Sequence, residues 1–142
     1  MVFVDTWAWI ALALRHDQHH PAAKTQHAEF VKSGRLYVTT DYVIGELITH
    51  LYRTVDANKA EAYVKAIFSG IESGGYRMER VSSERFASAW QLRQRYADKP
   101  AISFVDFTSF VTMRELGIQD VFTGDGHFAE ANFGFRLFPP TS

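Results

Sequence analysis

Three consecutive apolar residues, Val2-Phe3-Val4, stand near the start of the chain, and an acid, Asp5, follows them at once. Such a run predicts a short buried strand. Asp5-Thr6 then opens a helix over 6–14, with either residue as its cap. Residues 15–20 are a polar break that ends at Pro21, a residue suited to a first helical turn. The next helix reaches Lys32 and stops at Ser33-Gly34. Residues 36–39 are rich in β-formers and predict a second strand. Thr40-Asp41 caps a helix running to Arg53, and 58–69 forms another that ends among Gly70, Gly74 and Gly75. Residues 76–81 alternate weakly, as a strand does. Ser82 or Ser83 caps a helix through Tyr96, and Asp98-Lys99-Pro100 is a turn. Residues 103–116 form a strongly apolar helix ended by Gly117. A strand over 120–123, a Gly124-Asp125-Gly126 loop, a short helix over 127–131 and a strand over 135–138 complete the pattern.

Strands alternating with helices in this way argue for an α/β sandwich with a mostly parallel sheet. Sheets of that kind carry their sites at the carboxyl ends of strands, beside a switch in strand order. No repeat or low-complexity segment interrupts the pattern, and 142 residues suit one domain over 1–142 with a real core. Residues 7–14 are apolar but too few to span a bilayer, and no basic stretch precedes them. The chain therefore reads as soluble, unexported and without a membrane partner. It has no cysteine, which excludes disulfides, thiolate zinc and a thiol nucleophile and fits the cytoplasm. A net charge of −1 excludes a cationic coat but not a local basic groove.

Four acids sit in sequence that otherwise belongs to a core. Asp5 follows the first strand. Glu46 lies within Tyr42-Val43-Ile44-Gly45-Glu46-Leu47-Ile48, Asp106 within Ile102-Ser103-Phe104-Val105-Asp106-Phe107, and Asp125 just after Val121-Phe122-Thr123-Gly124. A buried charge without a partner costs several kcal/mol or more. Convergence on a hard divalent cation, which takes oxygen ligands, resolves all four at once. Asp5 and Asp125 both lie just past a predicted strand, where an α/β sheet places its site.

Each acid also has a plainer reading. Asp5 suits a helix cap, Asp125 an ordinary turn, and Glu46 a surface position or a pair with Arg53, seven residues on. Ser103 is either the cap of its helix or an orienting group for Asp106, and Thr6 either a cap or a donor to a carboxylate. His50 shares the Glu46 face and reads as a surface residue. His16, His19, His20 and His27 crowd one stretch, yet no second ligand pair follows at zinc spacing, so they read as a solvated helix junction. Arg15, Lys24, Arg53, Arg93, Arg95, Lys99 and Arg114 are candidate cations for the rim. Trp7 and Tyr42 are candidate stacking groups, and Trp9 reads as core.

Four stretches carry a resemblance: Phe3-Val4-Asp5-Thr6, Thr39-Thr40-Asp41-Tyr42-Val43-Ile44-Gly45-Glu46, Ser103-Phe104-Val105-Asp106, and Phe122-Thr123-Gly124-Asp125-Gly126-His127-Phe128. In order and spacing the chain resembles PIN-domain ribonucleases, and among them the VapC-type toxins of bacterial toxin–antitoxin pairs. The resemblance implies a three-layer α/β/α fold and metal-dependent cleavage of RNA. It makes Asp5, Glu46, Asp106 and Asp125 the acidic cluster, catalytic and ligating for Mg2+ or Mn2+, with Thr6, Ser103 and Thr123 in support. It implies RNA as substrate, a separate antitoxin protein as partner, and a homodimer; among the candidate rim cations and stacking groups, Arg53 and Tyr42 are the expected RNA contacts.

Other readings of the same acids are a metal nuclease acting on structured DNA and a non-catalytic module that binds RNA or a partner. An aspartyl-phosphate hydrolase of the haloacid type would carry a second Asp where Trp7 stands. No Gly-rich loop leads into a Lys-Ser or Lys-Thr pair, which excludes a Walker-type nucleotide site.

Overall fold

The computed structural model describes residues 1–140. Five strands form one sheet: β1 (Val2–Val4), β2 (Tyr37–Thr40), β3 (Tyr76–Glu79), β4 (Asp120–Phe122) and β5 (Arg136–Phe138). Their order across the sheet is β3-β2-β1-β4-β5, and every pair is parallel. Parallel strands need crossovers, and seven helices supply them: α1 (Thr6–Ala13), α2 (His20–Lys32), α3 (Asp41–Thr54), α4 (Ala57–Glu72), α5 (Ser83–Arg95), α6 (Phe104–Leu116) and α7 (His127–Glu130). The architecture is a three-layer α/β/α sandwich. Every residue of β1, β2 and β4 is buried, as expected of strands covered on both faces. This is why β1 reads as an unbroken apolar run and not as an alternating one.

The chain winds outward from β1 through β2 to β3, then crosses back to lay β4 on the other side of β1. The strand order therefore reverses between β1 and β4. In open α/β sheets the crevice beyond the carboxyl ends at such a reversal is where ligands bind. Asp5 leaves β1 at that crevice, and Thr123 to Asp125 leave β4 at the same place.

Capping follows the sequence closely. The side chains of Thr40, Asp56 and Ser82 accept from Val43, Lys59 and Arg85 backbone N–H groups and start α3, α4 and α5. Gly117 ends α6 in the left-handed conformation, φ 70°. The stop expected among Gly70, Gly74 and Gly75 falls between them. Gly70 lies inside α4, which continues to Glu72. A Cβ at Gly70 would run into the Tyr76 ring. Packing against β3 thus overrides the helix-weakening tendency of glycine.

Phe110 and Met113 of α6 lie fully in the core beside Phe3, Phe107 and Phe122, while Trp9 is buried over β2 with its indole N–H on Thr39 Oγ1 at 3.4 Å. In the same helix the Ser109 hydroxyl is buried and has no partner among the described residues. An unmade hydrogen bond carries a desolvation penalty of about 1–3 kcal/mol. Ser109→Ala is expected to raise stability by roughly 1 kcal/mol, read as a higher midpoint in urea; a lower one would reveal a partner for the hydroxyl.

At the opposite end of the sheet, Asp120 opens β4 and accepts from Arg35 Nη2 and Arg136 Nε, both at 2.7 Å. This buried acid is thus structural, held by two arginines and far from the other four in role. No helix among the described residues is long and apolar enough to cross a membrane.

Candidate metal centre

Asp5 occupies the cap position of α1, but its side chain makes no capping hydrogen bond. The carboxylate instead accepts from Thr123 Oγ1 at 2.9 Å, across 118 residues of sequence. Thr123 Oγ1 in turn accepts from the Asp125 backbone N–H at 3.0 Å. One hydroxyl therefore ties the end of β1 to the loop that follows β4. Asp5 is 4% exposed. Burial lifts it from the ordinary 3.8 to about 7, the charges of Asp106 and Asp125 push the same way, and the Thr123 hydrogen bond opposes them.

Asp106 sits in the first turn of α6, which Ser103 caps. Ser103 Oγ accepts from the Asp106 N–H at 3.1 Å, and Asp106 Oδ2 accepts from the Ser103 N–H at 3.2 Å. This reciprocal box starts the helix and fixes the carboxylate. Burial, then the charge of Asp125, raises the Asp106 pKa. Asp125 makes a local turn, its Oδ1 accepting from the His127 N–H at 2.9 Å, as its turn reading expects.

Glu46 projects from the second turn of α3 and accepts from Thr6 Oγ1 at 2.8 Å. It forms no pair with Arg53, which corrects the plainer sequence reading: Thr6, brought alongside by packing of α1 on α3, is the nearer donor. The Glu46 residue is exposed overall, yet its carboxyl end faces the crevice. Desolvation there, with Asp106 and Asp125 nearby, raises its pKa against the Thr6 hydrogen bond.

The crevice holds one residue that was not singled out in the sequence. His127, the first residue of α7, places Nδ1 3.1 Å from both Asp106 Oδ2 and Asp125 Oδ1. Desolvation pulls its pKa down, but Asp125, Asp106 and Glu130 outweigh it and raise the pKa. Ligand atoms of Asp106, Asp125 and His127 all lie within 4.8 Å of one another. They are the tightest group of potential metal ligands among the described residues, and Asp5 and Glu46 face it electrostatically. The only sequence signal for His127 was its place two residues after Asp125.

Carboxylates held above their ordinary pKa by burial first and by one another second are short of positive charge. A hard divalent cation among oxygen donors reverses that deficit, so the donor set fits such an ion. The histidine stretch does not take part: His20 Nδ1 lies 2.7 Å from the Ala11 carbonyl, His27 Nδ1 lies 2.8 Å from the Tyr37 hydroxyl, and the His19 ring packs 5.1 Å from Trp7.

Trp7 walls the crevice. A Cβ on Gly124 would collide with its indole ring, so the ring lies against the bare peptide that precedes Asp125. Gly124→Ala is expected to push the Asp125 loop outward and lower activity on the order of 10²-fold, with the fold retained. Combined with Trp7→Ala, the same change should add little, and kcat/KM across the four proteins tests that coupling. Additive losses would show the contact to be incidental. Tyr42 stands half-buried at the start of α3, its ring edge-on to Phe86 at 6.5 Å.

Arg93, a candidate rim cation, is not free. Its guanidinium closes on the carbonyls of Tyr96, Lys99 and Ile102 and lies over Phe107. It secures the turn that leads into α6 and so positions Asp106 indirectly. A cleft of about 1010 Å³ lies between the end of α1, α3 and α4 and touches none of the four acids.

The PIN domain family matches residues 2–134. Proteins from two strains of Mycobacterium tuberculosis, CDC 1551 and H37Rv, each described as the 23S rRNA-specific endonuclease VapC20, are 35% identical over 133 residues, covering 94% of this chain and 95% of theirs. The crystal structure of M. tuberculosis VapC20, described as a Sarcin-Ricin loop cleaving toxin, is similar with a TM-score of 0.79 and 34% identity, over 94% of this chain and 96% of that one.

Proposed function

Because the chain belongs to the PIN domain family, we propose that it is a Mg2+- or Mn2+-dependent endoribonuclease, one domain over 1–142, that hydrolyses phosphodiester bonds in ribosomal RNA. Its setting in this reading is the cytoplasm, as the homodimeric toxin of a type II toxin–antitoxin pair, restrained by a separate antitoxin protein. The observation that carries the reading is the convergence of Asp5, Glu46, Asp106 and Asp125 on one crevice at the strand-order reversal, with three of the four held above the ordinary carboxylate pKa. An rRNA substrate rests on the similarity to VapC20 over nearly the whole chain.

The side chains divide the work. Asp5, Asp106, Asp125 and Glu46 hold the cation. When bound it supplies Lewis acidity to a phosphate oxygen and to the attacking water. Thr123 orients Asp5, Ser103 orients Asp106, and Thr6 turns Glu46 toward the crevice. Glu46, the most exposed of the four, completes the shell or aligns the water. His127 keeps Asp106 and Asp125 from separating. Arg53 and Tyr42 contact the RNA.

Purified protein incubated with total RNA tests this, in Mg2+ or Mn2+, in EDTA, and beside Asp106→Asn. Discrete rRNA fragments that need metal and vanish in the variant are expected. Equal cutting by the variant, or cutting in EDTA, would overturn it.

A further inference from the structure

Four carboxylates repel a polyanion, so a nuclease built on them needs a cation at the edge of the crevice. Most arginines of this chain are committed elsewhere. Arg35 and Arg136 close on Asp120, Arg85 on Glu79 and Glu115, and Arg93 on loop carbonyls, while Arg114 lies over the Phe133 ring. Arg53 has no ion-pair or hydrogen-bond partner among the described residues. It lines a cleft of about 510 Å³ with His50, Thr49 and Gly45, and Thr6 and Glu46 line the same cleft. The cleft therefore runs from the acidic cluster to a free guanidinium, two helical turns along α3.

Gly45 is the second, independent sign. It sits inside α3, where glycine weakens a helix. Its φ is not positive, and a Cβ built on it meets nothing within 4 Å. Neither backbone conformation nor packing within the chain accounts for a glycine here. Gly45 is exposed and lines the cleft, so the missing methyl leaves room only for something that enters from outside. Close approach of backbone to a ligand is the remaining use of such a glycine.

We infer that this cleft is a subsite for the nucleotide next to the scissile bond: its ribose lies over Gly45, and its phosphate is held by Arg53, with His50 beside it. This rests on the nuclease reading above and adds the path of the strand along α3. Arg53 acts on substrate binding and not on the chemical step.

The test uses fluorescently labelled ribosomal RNA and protein carrying Asp5→Asn, so that binding is read without cutting. Arg53→Gln in this background should weaken binding about tenfold at moderate salt and reduce the slope of log affinity against log salt by about one, as loss of one phosphate contact requires. Gly45→Ala should raise Tm by about 4 °C, since alanine is the better helix former. It should also weaken RNA binding about fivefold, with the salt slope unchanged. A purely structural glycine would not give opposite signs in stability and affinity. An unchanged slope in Arg53→Gln, or full affinity in Gly45→Ala, overturns the subsite and leaves the nuclease reading standing, because the parent still binds. A parent that binds no RNA overturns both.

Discussion

Asp5→Asn is expected to lower RNA cleavage on the order of 10³-fold while making the metal-free protein harder to melt at pH 8. The two effects have one cause. Asp5 is buried and held near pKa 7, so at pH 8 the native protein carries a charge that its surroundings disfavour. Asparagine keeps the shape and still offers an oxygen to Thr123, whose hydroxyl lies 2.9 Å away, but carries no charge. It removes the repulsion with Asp106 and Asp125 and, on the proposed reading, one anionic ligand of the cation. Loss of several kcal/mol of transition-state stabilisation corresponds to the rate drop. Single-turnover cleavage and thermal melting of the same preparation read both. A variant that loses activity because it unfolds would show a lower Tm, the opposite sign.

Melting of the metal-free wild type is expected to fall as pH rises from about 4 to about 7. Between the unfolded pKa of Asp5, 3.8, and its folded value of about 7, the native state binds more protons than the unfolded chain. Stability therefore declines with pH across that window and levels off above it. The full swing from Asp5 alone is about 4 kcal/mol. Glu46 and Asp106 are shifted in the same direction. His127, raised by its acidic neighbours, contributes stability that is present at low pH and lost as pH rises through its folded pKa, so its sign agrees. A divalent cation binds the charged form only. Added Mg2+ or Mn2+ should thus raise Tm much more at pH 8 than at pH 5, and EDTA should return it. A metal shift of equal size at both pH values would show that the cation binds elsewhere.

What could be read from sequence, and what could not, follows from how each residue is held. β1 and β4 are buried on both faces, so their apolar runs end sharply and expose Asp5 and Asp125 as the residues that follow. Asp106 stands out because α6 is apolar around most of its circumference. Glu46 does not stand out alone, since many amphipathic helices carry a glutamate on the wet side; its distinguishing contact, from Thr6, spans 40 residues. His127 was illegible for a similar reason. Its ring is aimed by the Asp125 turn and meets Asp106 only because α6 lies alongside. Arg93 resembles any arginine near a helix end until the turn at 96–102 folds onto it. Local pattern thus reveals where a buried element stops, while a contact between distant elements leaves no local trace.

The reversal of strand order also gives the activity a timetable. β1 cannot complete its pairing until β4 exists, and the Thr123–Asp5 hydrogen bond that seals the crevice joins residues 118 apart. At roughly 5–20 residues per second, a ribosome needs on the order of ten seconds to make that stretch. During that interval Asp5 is present, but the loop that carries Asp125 and His127 is not. A partly made chain therefore lacks the complete acidic crevice until the residues after β4 have been added.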